Sequence, residues 1–390
     1  MSSPQSNQPK QQNAEASPKK KSYFGRAILV LILIIVVIPL ALRGMAGSSP
    51  HKGIQAKIET IGGRAGIAPS VPGFLQEMFS KEFDWEQFYG CVTVSTIALE
   101  ASGVTDEDLA VLKQTPHLKS LGLNGTKIGD AGAANLANTP ELATLTLTKT
   151  AVTDATCDVL KDLKELKELQ LGQTDISDAG AMKLGDLTNI ETLVLSGTKI
   201  TDETLKVLAK MPKLKTLSLD GCQLSDEGVA ALKDSRSLQN LSLERTPVTG
   251  SFSSQFAGVD LRSLSLSDSK CDGISLGDAS FKETLEILNV DNCPITDEGI
   301  PALASFSGVQ TLMMNKAKVT DKGIVGLKDM PNLVLLTIME TDITVEPLHE
   351  FKSAPKLQRI RAWNSKITND DMGKFNGKYQ FDINLTEPMN

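Results

Sequence analysis

Few residues of this chain are of the kinds from which catalytic or metal sites are built. Its 390 residues include three histidines and five cysteines, which form neither a C-x-x-C pair nor a cluster of cysteine with histidine. No serine, cysteine or carboxylate accompanies His51, His117 or His349 in the arrangement that nucleophilic catalysis needs. The sequence therefore predicts a protein without enzymatic activity, cofactor or metal ion.

Positive charge is also scarce beyond the amino terminus. The formal net charge of the chain is −7, to which residues 1–26 contribute +4 and the remaining residues −11. Proteins that bind nucleic acid usually present a basic face to it. Because most of this chain is mildly acidic, we expect no nucleic-acid partner.

What the chain has instead is a row of apolar residues at a nearly constant spacing of 24 positions. Each opens a phrase of the form L-x-x-L-x-L, and only the step from Leu238 to Leu261 is 23. The opening residues are Leu118, Leu142, Leu166, Ile190, Leu214, Leu238, Leu261, Leu285, Val309, Leu333 and Leu357. With a less regular unit at Val94, the chain has twelve repeats. A period of about 20–29 residues with this phrase indicates units that stack into a solenoid.

A hydroxyl residue followed by aspartate recurs after the apolar phrase of most units, as in Thr201-Asp202 and Ser225-Asp226. Such a pair predicts the start of a helix, because the hydroxyl caps free N–H groups and the carboxylate meets the positive end of the helix dipole. The aspartates could alternatively form a stripe that binds cations, but capping accounts for them without a metal.

Small residues that can hydrogen-bond recur between the strand and the helix of each unit. Thr126, Thr150, Thr174, Thr198, Cys222 and Cys293 occupy this position. We therefore interpret Cys222 and Cys293 as structural residues beneath a turn. Cys271 occupies an apolar position and is predicted to lie in the core.

The 24-residue phrase resembles the cysteine-containing class of leucine-rich repeats, whose units read L-x-x-L-x-L-x-x-C/T-x-I-T-D-x-G. The segments 198–202 and 293–299 are close renderings of it. The resemblance implies an α/β solenoid shaped like a horseshoe, with a parallel sheet on the concave face and helices on the convex face. No segment looks like an F-box. The layout is most similar to bacterial exported or membrane-anchored leucine-rich-repeat proteins, for which the family implies protein or glycan binding.

The amino-terminal region carries an uncharged, apolar stretch at residues 27–42. Sixteen helical residues span about 24 Å, which is slightly short of the hydrocarbon core. We predict a signal anchor whose basic flank, Lys19 to Arg26, stays in the cytoplasm while the repeats lie outside it. A signal peptide cleaved near Ala46 is the alternative, and it would give a secreted protein.

The remaining boundaries follow from where the repeat pattern starts and stops. Ile54, Ile58 and Ile61 predict a short helix that ends at Gly62-Gly63, and a second helical stretch runs from Pro72 to Trp85. These helices form a cap, which a repeat stack needs at its end. The predicted divisions are a disordered tail (1–22), the transmembrane anchor (23–46), a linker with the cap (47–93), the repeats (94–377) and a carboxy-terminal cap (378–390).

Residues that alternate with the buried leucines of each strand face the concave surface. In the first eight units they are mostly small and polar. In the last four they include Ile287, Met313, Leu335, Met339, Arg359, Arg361 and Trp363. Met, Arg and Trp are enriched at interface centres, so we predict that a protein or polysaccharide partner binds there.

Two alternatives remain open at this point. Trp363 could pack beneath the final segment, 379–383, as part of the carboxy-terminal cap. The whole protein could also be a structural spacer of the cell envelope that has no specific ligand. In units seven and eight, Thr249-Gly250 replaces the usual hydroxyl-aspartate pair, which predicts turns instead of helices.

Overall fold

The computed structural model describes residues 50–69, 92–100, 103–375 and 380–386. By its internal contacts the chain divides into two units, residues 1–53 with 69–92 and residues 54–68 with 93–390. Almost all described residues belong to the second unit. The predicted anchor at 27–42, the helical stretch from Pro72 to Trp85 and Cys91 lie outside the described residues. Within them, no helix has the length and apolar character needed to cross a membrane.

The described part of the chain is built on one sheet of fourteen strands arranged in sequence order. Every neighbouring pair from β2 to β14 is parallel. The strands are β1 (Arg64–Pro69), β2 (Val92–Ala98), β3 (Ser120–Gly122), β4 (Thr144–Thr146), β5 (Glu168–Gln170), β6 (Thr192–Val194), β7 (Thr216–Ser218), β8 (Asn240–Ser242), β9 (Ser263–Ser265), β10 (Ile287–Asn289), β11 (Thr311–Met313), β12 (Leu335–Thr337), β13 (Arg359–Arg361) and β14 (Asp382–Asn384).

The sheet has two strands more than the twelve predicted repeats. Strands β2 to β13 correspond to the twelve repeats, whereas β1 and β14 are formed by segments that lack the apolar phrase. β1 has the sequence RAGIAP, which contains glycine and proline and has little intrinsic preference for a strand. It follows a helix that was predicted: α1 (Pro50–Thr60) ends before Gly62, whose φ of 83° is the left-handed turn of a helix terminator.

The core lies beneath the sheet and is filled by the repeated apolar phrase. In the unit of β7, Leu214, Leu217, Leu219 and Leu224 are all buried, and their counterparts in the other regular units are buried as well. One strand residue in each of these units therefore points into the core while its two neighbours face away from it. This arrangement confirms the predicted division between core and surface.

The side of the repeats opposite the sheet consists of short α-helices and 3₁₀-helices. The α-helices are α2 (Asp130–Ala133), α3 (Cys157–Leu160), α4 (Asp178–Ala181), α5 (Asp202–Leu208), α6 (Asp226–Ala230), α7 (Ile300–Ala304), α8 (Asp321–Ile324) and α9 (Asn369–Phe375). The 3₁₀-helices are Asp108–Gln114, Ala134–Asn138, Met182–Asp186, Ala231–Asp234, Ser251–Gln255, Ile274–Leu276, Val325–Leu327 and Glu346–Ser353. Each buries an apolar side chain of its unit, such as Leu208 in α5.

The aspartates of the hydroxyl-aspartate pairs connect neighbouring repeats. Asp178 accepts hydrogen bonds from the backbone N–H of Thr201 at 2.8 Å and from its hydroxyl at 2.7 Å. The same two bonds join Asp202 to Ser225 in the next unit. We call this series the aspartate ladder; its members are Asp106, Asp130, Asp154, Asp178, Asp202, Asp226, Asp297 and Asp321, of which Asp130 follows a glycine instead of a hydroxyl residue.

The prediction that each hydroxyl caps its own helix is therefore only partly right. The hydroxyl of Ser225 does accept a bond from the Gly228 N–H in its own helix, at 3.1 Å. The hydroxyls of Thr201 and Thr320 cap no helix, and each donates to the carboxylate of the preceding unit. The ladder thus satisfies, from outside the unit, a backbone N–H group at the start of the helix in eight units.

The glycine of the D-x-G phrase makes room for the ladder. A Cβ atom on Gly228 would lie 1.9 Å from Oδ1 of Asp202, and Gly132, Gly180 and Gly323 are confined in the same way. Where threonine replaces this glycine, as at Thr204, its hydroxyl donates to the aspartate of the preceding unit, here Asp178. The position therefore accommodates a residue without a side chain or one that donates a hydrogen bond.

The predicted role of the residues beneath the turn is confirmed. Thr174 donates its hydroxyl proton to the carbonyl of Leu171 at 2.6 Å. The thiols of Cys222 and Cys293 lie buried at the same position and contact the carbonyls of Leu195 and Leu266 at 3.3 and 3.0 Å. Cys271 is buried in the core, as predicted.

Units seven and eight contain a 3₁₀-helix in place of the α-helix. The predicted loss of the α-helix is therefore confirmed, but its replacement is a 3₁₀-helix and not a turn. Gly250 and Gly273, with φ of 98° and 83°, precede these 3₁₀-helices, and the ladder is interrupted there. Buried rings fill the space instead. The centroids of Phe252, Phe256, Phe281 and Phe306 follow one another at 5.2, 6.1 and 6.2 Å, a spacing typical of favourable aromatic pairs.

Replacing Gly228 by alanine tests the ladder, because the ladder predicts a decrease in the free energy of unfolding where alanine would ordinarily increase it. Gly228 lies within α6, where alanine would ordinarily stabilise the protein by about 0.5–1 kcal/mol. The clash with Asp202 instead predicts a loss of about 1–3 kcal/mol in the free energy of unfolding, measured by urea denaturation. In an Asp202→Ala background the loss should shrink, and Gly103→Ala, where a Cβ meets nothing within 4 Å, is the control. Additive effects of the two changes would contradict this account.

Candidate functional site

The exposed face of the sheet consists of three rows of side chains that run across the strands. In the first row, Ile287, Thr311, Leu335 and Arg359 are register partners on β10 to β13. In the second row, Asn289, Met313, Thr337 and Arg361 occupy the same strands. The third row follows the strand ends and includes Asp291, Asn315, Met339 and Trp363.

The structure thus brings together all seven residues that the sequence singled out. Neighbouring strands of a sheet lie about 4.8 Å apart, so each of these side chains is within one or two strands of the next. We call the set Ile287, Met313, Leu335, Met339, Arg359, Arg361 and Trp363 the carboxy-terminal patch. Ile287 is 40% exposed, and Trp363 remains half-buried although β14 adds a further strand beside β13.

The two arginines of the patch are exposed. Within the part of the chain that the structure describes, neither guanidinium takes part in an ion pair or a side-chain hydrogen bond. Asp382, on β14, is the register partner of Arg359 but forms no ion pair with it. Both cations are therefore available to a ligand.

Thr337 is a member of this surface that the sequence did not single out. It lies in the second row between Met313 and Arg361. Although it is on the open side of the sheet, it is only 3% exposed, and among the described residues its hydroxyl has no hydrogen-bond partner. Threonine is common elsewhere on this face, so its type gave no signal. Its burial depends on the long side chains beside it.

The third row carries acidic side chains that link repeats before it reaches the patch. One carboxylate oxygen of Asp220 accepts a hydrogen bond from the Glu244 N–H at 3.0 Å. Asp291 accepts one from the Asn315 N–H at 2.7 Å, and Asn315 in turn accepts one from the Met339 N–H at 2.8 Å. Burial raises the pKa of Asp291 above its ordinary value, against the opposing effect of the bonds from Asn315.

A groove of about 750 Å³ runs along the turns that follow β11 to β13, and its lining begins directly after the patch residues Met339 and Trp363 in sequence. It is lined by Lys316, Lys318, Lys322 and Lys366 together with acidic residues. Two of these lysines already have partners, because Lys316 pairs with Glu340 at 3.6 Å and Lys366 with Asp342 at 3.1 Å. The groove therefore mixes charges of both signs and presents no concentrated cationic site.

The cysteines of the described region are unsuited to nucleophilic chemistry. Burial raises the pKa of the Cys157 thiol to about 12, and it does the same for Cys271. Such thiols stay protonated at neutral pH and are unreactive. In the described ranges, no group of three or more His, Cys, Asp and Glu side chains is arranged to hold a metal ion.

The sequence matches a family model described as leucine-rich repeat at residues 114–137, 165–185, 186–209, 210–233 and 282–304. The protein is a leucine-rich-repeat protein. The matched segments fall within the units whose strands and buried leucines are described above. Leucine-rich-repeat proteins generally mediate protein–protein interactions and are typically not enzymes.

Solved structures with a similar fold include two internalins from Listeria monocytogenes. The first, inlF, is 17% identical to this leucine-rich-repeat protein, with a TM-score of 0.55, and the match covers 88% of this chain and 96% of the internalin. The second, internalin C2 (inlC2), is 23% identical, with a TM-score of 0.39, over 60% of this chain and 83% of its own. At such identities, the likeness to inlF concerns the fold alone. No curated protein matches the chain by sequence.

Two aspartates of this leucine-rich-repeat protein are expected to respond to pH in opposite directions. The pKa of Asp291 is raised in the folded protein, so its protonated form stabilises the folded state. This stabilisation is lost as pH rises above 3.8 and the carboxyl group ionises. Partial burial would also raise the pKa of Asp178, but bonds from Thr201 and Thr204 outweigh it and lower the pKa. The contribution of Asp178 is therefore present above pH 3.8 and lost as pH falls further.

Asp291→Asn should accordingly raise the free energy of unfolding at pH 7, because it removes a buried charge and keeps an oxygen that can accept the Asn315 N–H. The substitution gives up the bond from the Asn315 side-chain amide, now accepted by the second carboxylate oxygen at 2.9 Å, and we expect the removal of the charge to outweigh that loss. Asn124 already does this for the N–H of Thr148, at 2.8 Å. The gain should shrink towards pH 3.5, whereas the loss caused by the matched change Asp178→Asn should be largest at pH 7. Urea denaturation at both pH values measures these effects. A gain for Asp291→Asn that does not depend on pH would contradict the assignment.

Proposed function

We propose that this protein binds a partner protein through the carboxy-terminal patch and performs this role outside the cytoplasm, anchored by residues 27–42. The observation that carries the proposal is the change in the exposed face of the sheet. Small polar side chains give way, over four adjacent strands, to aliphatic, aromatic and exposed cationic ones. Trp, Met and Arg are the residues that dominate binding energy at interface centres.

The dimensions of the patch suit the centre of an interface. Four strands span about 14 Å across the sheet, and three rows extend about 13 Å along it. A stable protein interface buries about 800 Å² on each partner, which is several times the area of the patch. The patch would therefore act as the energetic centre, and the neighbouring rows of serine, threonine and asparagine would form the polar rim.

A polysaccharide is the second candidate ligand, because Trp363, Asn289 and the two arginines offer stacking and hydrogen bonds. Four of the seven patch residues are aliphatic or thioether side chains, however, and these gain most from contact with apolar side chains of a protein. A spacer without a ligand would have no use for exposed arginines beside partly exposed apolar groups. The patch composition therefore favours a protein partner.

The proposed location rests on the sequence of the amino-terminal region. Residues 27–42 are uncharged and largely Ile, Leu and Val, and they follow a basic cluster. Positive residues on one flank favour retention of that flank in the cytoplasm. The long polar leader is unusual for a cleaved signal peptide, which favours an anchor over secretion.

Reversing the charges of the patch tests the binding role. The variant Arg359→Glu/Arg361→Glu/Trp363→Ala should lose at least 90% of the partner that wild-type protein captures by cross-linking in its native membrane. The control Lys113→Glu/Lys233→Glu makes the same change of charge on exposed residues of the helical side and should retain the partner. Identical capture profiles for wild type and both variants would support a spacer instead.

The anchor predicts that the full-length chain resists extraction from membranes by alkaline carbonate, since about sixteen apolar residues would be buried in lipid. Leu33→Arg/Val36→Arg should release it into the soluble fraction, because each charge at the centre of a span costs about 2.5–3.5 kcal/mol. Intact mass distinguishes the alternatives: an anchor keeps residues 1–46, whereas a chain that starts near Gly47 would show that the segment is a cleaved signal peptide.

A further inference from the structure

The hydroxyl of Thr337 is an uncompensated polar group at the centre of the carboxy-terminal patch. Leu335 lies two residues before it on β12 and Met339 two residues after it, just beyond the strand, while Met313 and Arg361 flank it on the adjacent strands. These four residues are its neighbours on the exposed side of the sheet, and the threonine itself is only 3% exposed. A buried hydroxyl without a hydrogen bond destabilises the folded protein, and a ligand that accepts a hydrogen bond from it would remove this cost.

The group best suited to this position is an acceptor of hydrogen bonds with negative charge. Arg361 and Thr337 are register partners, about 4.8 Å apart at their Cα atoms. A guanidinium can only donate hydrogen bonds, and the threonine hydroxyl has a proton to donate as well. One carboxylate has two oxygens and about four acceptor positions, which is enough to bind both groups at once.

We propose that a carboxylate of the partner protein, from Asp or Glu, binds between the Arg361 guanidinium and the Thr337 hydroxyl, with apolar residues of the partner packed against Met313, Leu335 and Met339. This inference rests on the proposed function of the patch. It adds the chemistry of the partner, which is an acidic residue flanked by apolar ones. It also assigns Thr337 as a residue that determines specificity.

The charges on the rest of the exposed sheet face restrict an acidic partner segment to the carboxy-terminal end of the sheet. Glu168, Asp220, Glu244 and Asp291 lie on earlier strands or just beyond them and would repel an acidic segment. Arg359 and Arg361 are the basic residues of the two rows at β13, and the Asp382 carboxylate next to Arg359 weakens the attraction on the outer side. The most favourable position for a carboxylate is therefore beside Arg361, towards Thr337.

The proposal predicts that Thr337→Val has opposite effects on stability and binding. Valine has nearly the same shape and no hydroxyl, so the midpoint of thermal unfolding of the free protein should rise by about 2 °C. Affinity for the partner should fall about tenfold, because a hydrogen bond to a charged group is lost. A residue with only a structural role would change both in the same direction or leave binding unchanged.

The probe is a library of displayed random 12-residue peptides selected on the intact chain in detergent. We expect selected peptides to carry Asp or Glu next to apolar residues, and replacement of that residue by Asn or Gln should weaken binding about tenfold or more in wild type. In Thr337→Val, the same replacement should have a smaller effect, because the two groups interact directly.

Two hydroxyl variants away from the contact serve as matched controls. Thr341→Val removes a buried hydroxyl that does donate, to the Ile338 carbonyl at 2.7 Å, and should lower the unfolding midpoint without changing peptide affinity. Ser235→Ala removes the other buried hydroxyl that has no partner among the described residues and lies on the helical side. It should also leave peptide affinity unchanged.

The outcomes separate this inference from the function on which it rests. If Trp363→Ala abolishes peptide binding but Thr337→Val leaves it unchanged, the carboxylate site is refuted and the patch stands as the binding surface. Selected peptides without Asp or Glu would refute the site in the same way. If Trp363→Ala leaves the peptides bound, the patch is not the binding surface, and both proposals fail.

Discussion

The carboxylate that each repeat places against the next is the interaction on which the regular part of the stack depends. Asp202 holds both the N–H and the hydroxyl of Ser225, so one side chain fixes the start of the following helix. It demands space from the following unit, which is why glycine occurs at Gly228. Where the ladder stops, at Gly250 and Gly273, a buried row of phenylalanine rings provides the contact between units instead.

Much of the fold could be predicted from the sequence because the apolar period records which side chains are buried. The position of Leu217 in its phrase was enough to place it in the core, and that of Cys222 to place it beneath the turn. The destination of the aspartate bonds was not accessible in this way. An aspartate could bind N–H groups of its own helix or those of the next repeat. Both kinds of partner recur every 24 residues, so the sequence pattern is the same in either case.

The backbone holds a second feature that the sequence conceals. One position in each of eleven units has a left-handed conformation, and eight of these residues, such as Lys149 and Glu340, are not glycine. Such a residue ordinarily costs about 1 kcal/mol, so neighbouring units must enforce the turn. The strands β1 and β14 were missed for a related reason, because they are held by pairing with an adjacent unit and carry no repeat of their own.

In the candidate site too, some features follow from a residue's own position in the repeat and others depend on residues of neighbouring strands. Alternation along a strand placed Arg361 and Met313 on the exposed face, whereas the burial of Thr337 depends on the residues of two other strands. The third row adds a further constraint. Asn315 uses its side chain to bind the next unit, but the residues that come after it in the row, Met339 and Trp363, cannot do so. Giving up such bonds costs about 1 kcal/mol each, so these units lose stacking energy where the patch gains its apolar surface. That exchange is expected of a surface selected for binding.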